Sequence, residues 1–418
     1  MKALKSTGLA VLVLAGATLG AGAQSIRTDI NPALVYGRAF LAAPNLAQAD
    51  SDYLFSNNWQ GQKFPERFGD LVATYDAEIQ LVGAAAKSKV PCDWGVDMSP
   101  GPMTLLPHLA RAKAVATVTR LRVMWHLQNQ RQSEACDEML AAFVLARNAS
   151  LDGTLISTLV QMAMENILCS TIAANFGQFS PESLKRLTEA MNAAPIRHSV
   201  AECMPTEKAF FFDWALRKIP EFQKQNPGND ALVMEAIHQS LIVESPEEGD
   251  TNYWPRVAQA AGGTSDGVLQ LLRDGGKFYE RAVAFLNLPY PEFKSREKAF
   301  IKEMEEAANP FVAKAYPGFI KSRQKEFRTL AALTMVRAAL EYKSRGDAGF
   351  KSVEDPCGKG PFAFQRFVFA GVDRGFQLKS AFNLGDNLAV LIFVEKEGPP
   401  FQVDGNFPGR ALPASAPR

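Results

Sequence analysis

The sequence has few of the residues from which metal centres are built. Among 418 residues there are only 4 histidines and 5 cysteines. The histidines share no spacing of the His-x-x-x-His kind, which would bring two ligands to one ion. Phosphate-binding loops of the Gly-x-x-x-x-Gly-Lys type, zinc-finger spacings and calcium loops are absent as well. The sequence therefore predicts a protein without a metal or other cofactor.

An excess of charge of one sign is also lacking. Lysine and arginine number 45 against 44 acidic residues, so the net charge is +1. This balance excludes the strongly basic surface of a general nucleic-acid-binding protein, and we expect no nucleic-acid partner. The chain is 47% hydrophobic and 21% charged, which is typical of a globular protein with a sizeable core.

The N-terminus carries an export signal. Lys2 and Lys5 precede an apolar stretch from Gly8 to Gly20, and Ala21-Gly22-Ala23 has the small-x-small pattern that signal peptidase accepts. The apolar stretch is shorter than the ~20 residues that span a bilayer. We therefore expect a cleaved signal peptide over residues 1–23. No second run of about 18 apolar residues is evident after it, so we expect a periplasmic or extracellular protein without a transmembrane anchor.

Export would carry the cysteines into an oxidising compartment, where thiols tend to pair. The five are Cys92, Cys136, Cys169, Cys203 and Cys357. Because five is an odd number, at least one must stay free or bond to another chain. We expect one or two disulfide bonds, and the sequence leaves their connectivity open.

Apolar residues recur at helical spacing through most of the chain. The pattern is strongest from Leu105 to Ala194, where four helices are predicted at 105–128, 133–148, 154–176 and 180–192. Their short connections make consecutive helices antiparallel neighbours, either as TPR-like hairpins or as an irregular bundle. Further helices are predicted at 31–40, 65–87, 292–308 and 317–343.

The hydrophobic period changes from 3.6 to 2 after Gly346. The alternating segment 362–369, the segment 376–382 and the continuous apolar run 388–394, which is rich in β-branched residues, predict three strands of an antiparallel meander. The fold class is therefore mainly α with a small C-terminal β meander. We expect a helical body over residues 24–345, the meander over 346–398, and a flexible tail rich in proline and glycine over 399–418.

Short motifs in these regions resemble a group of exported bacterial proteins built from helical hairpins, for which no activity is known. The motifs are Leu105-Leu106-Pro107-His108-Leu109, Gly153-Thr154-Leu155-Ile156-Ser157, Asp355-Pro356-Cys357-Gly358-Lys359 and Gly375-Phe376-Gln377-Leu378-Lys379-Ser380. Similar endings occur in pilin-like proteins of secretion systems. In the group of exported hairpin proteins phenylalanine commonly follows Asp-Pro, so Cys357 is a departure. The resemblance implies an α-helical body with a small β ending and implies no activity.

A polar stripe runs along the most apolar of the predicted helices. It consists of Thr154, Thr158, Gln161 and Glu165, at spacings of three and four residues. Such a stripe is typical of the solvent side of an amphipathic helix. The alternative is the wall of a groove, in which Glu165 pairs with Arg120 or Arg122, or contacts a ligand.

Two other motifs are candidates for function. The aromatic run Phe210-Phe211-Phe212-Asp213-Trp214 favours burial between neighbouring helices, and the alternative is an exposed patch that binds a partner. Gly263-Thr264-Ser265-Asp266-Gly267 matches the nucleophile elbow of hydrolases. No strand precedes it and all four histidines come before Ser265, so we interpret it as a polar loop that caps the next helix.

No catalytic signature is present, and we identify no catalytic residue. The pattern favours a non-enzymatic envelope protein whose helical-hairpin surface binds a partner protein or a glycan. The candidate binding residues are Glu165, Gln161, Arg120, Arg122, Phe210, Phe211 and Trp214. An enzyme that acts on envelope glycans is the alternative, which a buried acidic pair facing a cleft would favour. A component of a secretion or pilus-like assembly is the third hypothesis, suggested by residues 355–380.

Overall fold

The computed structural model describes residues 29–56, 59, 62–241, 252–384, 387–398, 401–403 and 411–413. The expected signal peptide, residues 1–23, lies outside them. The helices are α1 Pro32–Ala42, α2 Gln48–Ser51, α3 Glu66–Ala73, α4 Asp76–Ala86, α5 Pro107–Gln128, α6 Gln132–Ala149, α7 Leu155–Ala174, α8 Pro181–Ala193, α9 Val200–Lys208, α10 Trp214–Gln225, α11 Asp230–Leu241, α12 Tyr253–Ala260, α13 Ser265–Leu286, α14 Tyr290–Glu305 and α15 Pro310–Lys351. The strands are β1 Ala363–Phe369, β2 Val372–Leu384, β3 Asn387–Val394, β4 Phe401–Val403 and β5 Ala411–Pro413. The predicted fold class, mainly α with a small C-terminal antiparallel sheet, is confirmed.

Several helices begin where their sequence supplies a capping side chain. The Thr154 hydroxyl accepts a hydrogen bond from the Ser157 N–H at the start of α7, and Ser180 caps α8 in the same way. At α9, Ser199 and Glu202 form a reciprocal capping box. These caps satisfy N–H groups that the first helical turn would leave without a partner.

The helix predicted over residues 65–87 is in fact two helices, α3 and α4. A continuous helix would bond the carbonyl of Val72 to the N–H of Asp76. That carbonyl instead accepts from the Tyr75 N–H at 3.3 Å and from Arg122 Nη1 at 2.6 Å, and the carboxylate of Asp76 binds the same nitrogen. The prediction was wrong because a side chain from α5 takes the acceptor, which no local pattern reveals.

Two hydrophobic cores lie on either side of α5, α6 and α7. One contains α1, α3 and α4, and the other contains the later helices and the inner face of the sheet. Helix α7 packs against α5 and α6 on one side and against α15 on the other. This enclosure is that of an irregular bundle. The TPR-like arrangement remains a prediction.

The sheet has the order β1-β2-β3 and both pairings are antiparallel. Phe376 and Phe393 on its inner face meet the ring of Phe176, which follows α7. The Asp355 carboxylate binds the hydroxyl of Ser380 at 2.7 Å and the N–H of Ala381 at 2.6 Å. These contacts fasten the sheet onto the helical body.

The segment expected to be a flexible tail contains regular structure among its described residues. Phe401–Val403 pairs with Ala411–Pro413 as a two-stranded antiparallel ladder. The interval between the two strands contains Gly405, Pro408 and Gly409, which accounts for a prediction that treated the whole segment as irregular.

The expected disulfide bonds are not found, since all five cysteines are free and buried. The thiol of Cys203 lies 2.8 Å from Thr158 Oγ1, and that of Cys357 lies against the carbonyl of Phe327. Burial raises the pKa of both thiols to about 12. The expectation of one or two disulfide bonds is therefore wrong, because no two of the five thiols are bonded to each other.

Candidate functional site

The polar stripe of α7 faces the interior of the protein. Thr154, Thr158, Gln161 and Glu165 are all essentially inaccessible to solvent. The expectation that they form the solvent side of the helix is therefore wrong. Because α7 is enclosed by α5, α6 and α15, its polar face is covered and its side chains must find partners inside the protein.

Glu165 belongs to a group of buried charges that we call the ion cluster: Arg147, Glu165, Arg197, Arg323 and Glu326. The Glu165 carboxylate lies 3.0 Å from Arg147 Nε through one oxygen and 3.0 Å from Arg197 Nε through the other. Arg197 Nη1 reaches Glu326 at 2.7 Å, and Arg323 Nη1 reaches the second oxygen of Glu326 at 2.5 Å. Each arginine of the cluster thus has a carboxylate partner.

The ion cluster ties distant segments together. It joins α6, α7, the segment before α9, and α15, and Glu326 also accepts from the Val200 N–H at 3.1 Å. Burial alone would lower the pKa of Arg197, but the carboxylates of Glu165 and Glu326 raise it above its ordinary value. At Arg147 burial prevails and lowers the pKa, although Glu165 opposes it. This arrangement is suited to holding helices in register rather than to binding a ligand.

Arg120 and Arg122 do not meet Glu165, so the predicted pairing is wrong. Arg122 binds Asp76 at 2.6 Å and Glu138 at 2.7 Å, and Glu138 also bonds to the ring of His126 at 3.0 Å. The Nε atom of Arg120 is buried and has no hydrogen-bond partner among the described residues. Both arginines lie on α5, and the contacts of Arg122 are with α4 and α6 rather than with Glu165 on α7.

The aromatic run at 210–214 is largely packed inside. A π-helical turn, Ala209–Asp213, joins α9 to α10 and directs Phe212 into the core beside Gly275. Trp214 is buried against Gly101, and its indole N–H donates to the carbonyl of Ser99 at 2.9 Å. Phe210 and Phe211 are half-buried. The structure agrees with burial between neighbouring elements and places this run apart from Glu165.

The serine motif has the structural role expected from its sequence. Thr264 caps α13, accepting from the Gly267 N–H at 3.1 Å, and the Ser265 hydroxyl donates to Asp230. Ser265 is buried and no histidine contacts it among the described residues. The motif therefore has the geometry of a helix start.

A cleft of about 580 Å³ opens between α7, α15 and β3. Its volume is in the range of small-molecule and peptide sites. The residues that line it are Leu159, Met162, Ala163, Asn166, Ser170, Ala173, Ala174, Lys325, Arg328, Thr329, Ala332, Met335, Ala389, Val390, Leu391 and Ile392. We call this site the α7/α15/β3 cleft.

Most of the cleft wall is apolar, and its few polar groups are specific in kind. Asn166 joins α7 to α15 by donating to Thr329 Oγ1 at 2.8 Å, and it also donates to the Met162 carbonyl at 2.8 Å. Both amide hydrogens are thereby used, which leaves the Asn166 carbonyl oxygen as an acceptor at the cleft. Ser170 is exposed on the same wall.

The charges in the cleft are cationic. Lys325 and Arg328 are three residues apart on α15 and so share one side of the helix. Lys325 is exposed at the rim, whereas Arg328 is half-buried. Burial lowers the pKa of Arg328, and no carboxylate opposes that shift. None of the lining residues is acidic, and the Arg328 guanidinium has no hydrogen-bond partner among the described residues.

None of the seven candidate residues chosen from the sequence lines this cleft. The charged stretch from Lys321 to Arg328 is visible in the sequence, but its meaning depends on which neighbour each side chain meets. Because of the helical period, Arg323 and Glu326 lie on the side of α15 that faces the ion cluster. Lys325 and Arg328 lie on the side that lines the cleft. The third wall, β3, lies far along the chain, so no local motif marks the site.

Helix α7 is the one helix among the described residues that is long and apolar enough to cross a membrane, with a mean hydropathy of 1.3. By length and composition, α7 is an apolar run of the kind that was not expected after residue 23. More than half of its apolar window is buried inside the protein, and a core helix passes the same test. Glu165 of α7 forms buried ion pairs with two arginines, which is also typical of a helix in a packed core.

Comparison with models of protein families, with curated proteins and with solved structures gave no match in any of the three. The resemblance to exported hairpin proteins therefore stays a prediction, and the geometry of the α7/α15/β3 cleft carries the argument about function.

Proposed function

We propose that this protein is a non-enzymatic binding protein, which takes up a partly apolar, anionic ligand in the α7/α15/β3 cleft. The observation that carries this proposal is the unpaired guanidinium of Arg328. A cation in an apolar wall loses hydration, and only an opposing charge or hydrogen-bond acceptor offsets that loss. Arg323 and Arg345 on the same helix have such partners, and Arg337 is exposed to water, whereas the half-buried Arg328 has no partner among the described residues.

The remaining cleft chemistry fits the same ligand. The wall formed by Leu159, Met162, Met335 and the side chains of β3 offers apolar surface, and the Asn166 carbonyl accepts a hydrogen bond. A guanidinium binds a carboxylate or phosphate through two parallel hydrogen bonds, which fixes orientation as well as charge. An anion on an apolar frame would satisfy the whole lining.

The enzymatic alternative has less support. Glycan cleavage usually needs two carboxyl groups that face one cleft. The buried acidic pair of this protein, Glu165 and Glu326, is held by arginines, and neither residue lines the cleft. Lys325 is the one described lining residue that can exchange a proton, and no imidazole, thiol or carboxylate lines the cleft with it to complete a general acid–base pair.

Binding of the fluorescent apolar anion 1-anilinonaphthalene-8-sulfonate tests the proposal. We expect saturable binding to the full chain. Arg328→Gln should weaken it about tenfold, since a charge-assisted hydrogen bond contributes about 1.5–3 kcal/mol. Ala163→Phe, which fills the cleft from a half-buried position, should abolish it. Arg337→Gln is the matched control, because Arg337 lies on the same helix and is exposed.

Unchanged affinity in both Arg328→Gln and Ala163→Phe would overturn the proposal. Far-ultraviolet circular dichroism and the melting temperature of each variant confirm that loss of binding is not loss of fold. Localisation is tested separately, by fractionating cells that produce the tagged chain. The proposed export requires the protein in the periplasm or the medium, without residues 1–23.

A further inference from the structure

The third wall of the cleft is the edge of a β-strand rather than its face. Successive side chains of a strand point to opposite sides of the sheet. Ala389, Val390, Leu391 and Ile392 are consecutive, yet all four line the cleft. Because β3 is the outermost strand of the sheet and four consecutive residues of it line the cavity, we infer that the cavity runs along the edge of the strand.

That edge is not paired within the described structure. Strand β3 pairs with β2 on one side, through contacts such as Gln377 opposite Ile392, and no described strand lies on its other side. In an antiparallel ladder alternate residues direct their N–H and C=O groups away from the existing partner. The cleft therefore presents main-chain donors and acceptors in addition to apolar side chains.

The open part of the edge is short and has a defined end. Beyond Val394 the turn Phe176–Gln178 closes on the strand. A Cβ atom on Gly177 would lie 2.2 Å from the carbonyl oxygen of Glu395, so only glycine allows this approach. The unpaired edge therefore borders the cleft from Ala389 to Ile392, where Val390 and Leu391 are partly exposed and the two end residues are buried, and it is blocked after that.

We propose that the ligand of the cleft is an extended segment of a partner protein, which adds to β3 as a fourth strand and places an acidic side chain on Arg328. This inference rests on the proposed function and names its ligand class. Unpaired strand edges bind extended peptides through main-chain hydrogen bonds, and flanking pockets give specificity. The positive charges of Arg328 and Lys325 select an acidic side chain, and the apolar wall selects aliphatic neighbours.

A strand explains more of the cleft than a small amphiphile does. A fatty carboxylate would satisfy Arg328 and the apolar wall, but it would leave the outward N–H and C=O groups of β3 without partners. Such groups cost free energy when water is displaced from them. A peptide satisfies the guanidinium, the wall and the strand edge together.

The test is displacement of 1-anilinonaphthalene-8-sulfonate from the full chain by defined probes. The first probe is the acetylated, amidated hexapeptide Thr-Val-Glu-Val-Thr-Val, and its matched control has glutamine in place of glutamate. Two further versions carry N-methyl groups on one or the other set of alternate residues, because a strand bonds to its neighbour through only one set. Dodecanoate is the non-peptide probe.

We expect the glutamate peptide to displace the dye and the glutamine control to be about tenfold weaker. One N-methylated version should fail and the other should bind as the parent does. Hydrogen exchange should slow at main-chain amides between Ala389 and Ile392 when the parent peptide is bound, and Arg328→Gln should remove the preference for glutamate over glutamine.

Each contrary outcome has a separate meaning. Dye binding without displacement by the peptide, but with displacement by dodecanoate, would overturn strand addition and leave the proposed function in place. Equal binding of both N-methylated versions would also overturn it. Dye affinity that is unchanged in both Arg328→Gln and Ala163→Phe would overturn the proposed function itself.

Discussion

The ion cluster and the α7/α15/β3 cleft are built on the same two helices, but their arginines differ in whether a carboxylate lies beside them. On one side of α15, Arg323 meets the carboxylate of Glu326, which Arg197 also binds. Five residues further along the same helix, Arg328 meets no acid. Compensated charge inside a protein organises its own chain, whereas uncompensated charge beside a cavity is available to something outside it.

The largest effect is expected at Glu165, whose carboxylate is shared by two buried arginines. Glu165→Gln leaves Arg147 and Arg197 buried without their shared carboxylate, and removal of one partner of a buried pair costs about 3–5 kcal/mol. We expect a loss of that order in the free energy of unfolding, measured in urea. Glu189→Gln is the matched control, since Glu189 is exposed and its exchange should change stability by less than about 0.5 kcal/mol. A Glu165→Gln protein as stable as the parent would refute a structural role for the cluster.

Glu78 is a buried acid without a bonded cation, so its negative charge should lower the stability of the folded protein, whereas that of Glu165 should raise it. Glu78 on α4 is buried, and desolvation raises its pKa from 4.5 to about 7, with Arg111 opposing the shift. Between these values the folded protein keeps a proton that the unfolded chain has lost, so the contribution of Glu78 to stability is most favourable below pH 4.5 and falls as pH rises through 7. We expect that contribution to fall by about 3 kcal/mol across that range.

Glu78→Gln should remove this part of the pH dependence and make the protein more stable than the parent at pH 8. Urea unfolding at pH 5, 6, 7 and 8 measures both effects, and Glu189→Gln should keep the parent's slope. Identical slopes for Glu78→Gln and the parent would contradict the assignment.

The two arginines of α15 give a direct test within one helix. Arg323→Met removes a partner of Glu326 and a guanidinium that stacks 4.2 Å from the Phe327 ring, and we expect a loss of about 1–2 kcal/mol. Arg328→Met removes a charge that nothing in the described chain offsets, so stability should stay the same or rise by up to about 1 kcal/mol. Thermal and urea unfolding of both variants decide the sign, and equal losses would contradict the contrast.

The smallest effect is expected at the rim. Lys325 is exposed, so water and salt screen its charge far more than that of Arg328. Lys325→Gln should weaken binding of 1-anilinonaphthalene-8-sulfonate only about twofold to threefold, with no change in melting temperature. In 0.5 M sodium chloride the difference from the parent should vanish, whereas the effect of Arg328→Gln should persist. The same loss for both variants at high salt would place Lys325 deeper than its exposure indicates.

Local patterns predicted the elements of this fold well. Apolar periodicity located α5, α6, α7 and α8, and the change of period after Gly346 located the sheet. The error at Thr74, where the predicted 65–87 helix breaks, arose because Arg122 arrives from another helix to bind Val72. Burial of the Thr154–Glu165 stripe was not predicted for a similar reason, since the sequence of a helix does not determine how many other elements pack around it.

The candidate site was beyond prediction from local sequence because its walls come from three distant segments. Lys325 and Arg328 stand in a charged stretch whose mixed signs are typical of a solvated helix, and only the partners of Arg323 and Glu326 distinguish the two sides. The apolar run of β3 indicates a buried strand, and its sequence gives no sign that one edge remains open. Tertiary neighbours decide both points.

The late position of β3 has a consequence for how the protein is made. Synthesis runs from the N-terminus, so α7 and α15 are complete before the strand that closes the cleft exists. A chain released before Ile392 would contain the ion cluster and both helical walls, yet it would have no third wall and no strand edge. The proposed ability to hold a ligand would therefore be acquired only when the last segments are translated, and a nearly finished chain would lack it.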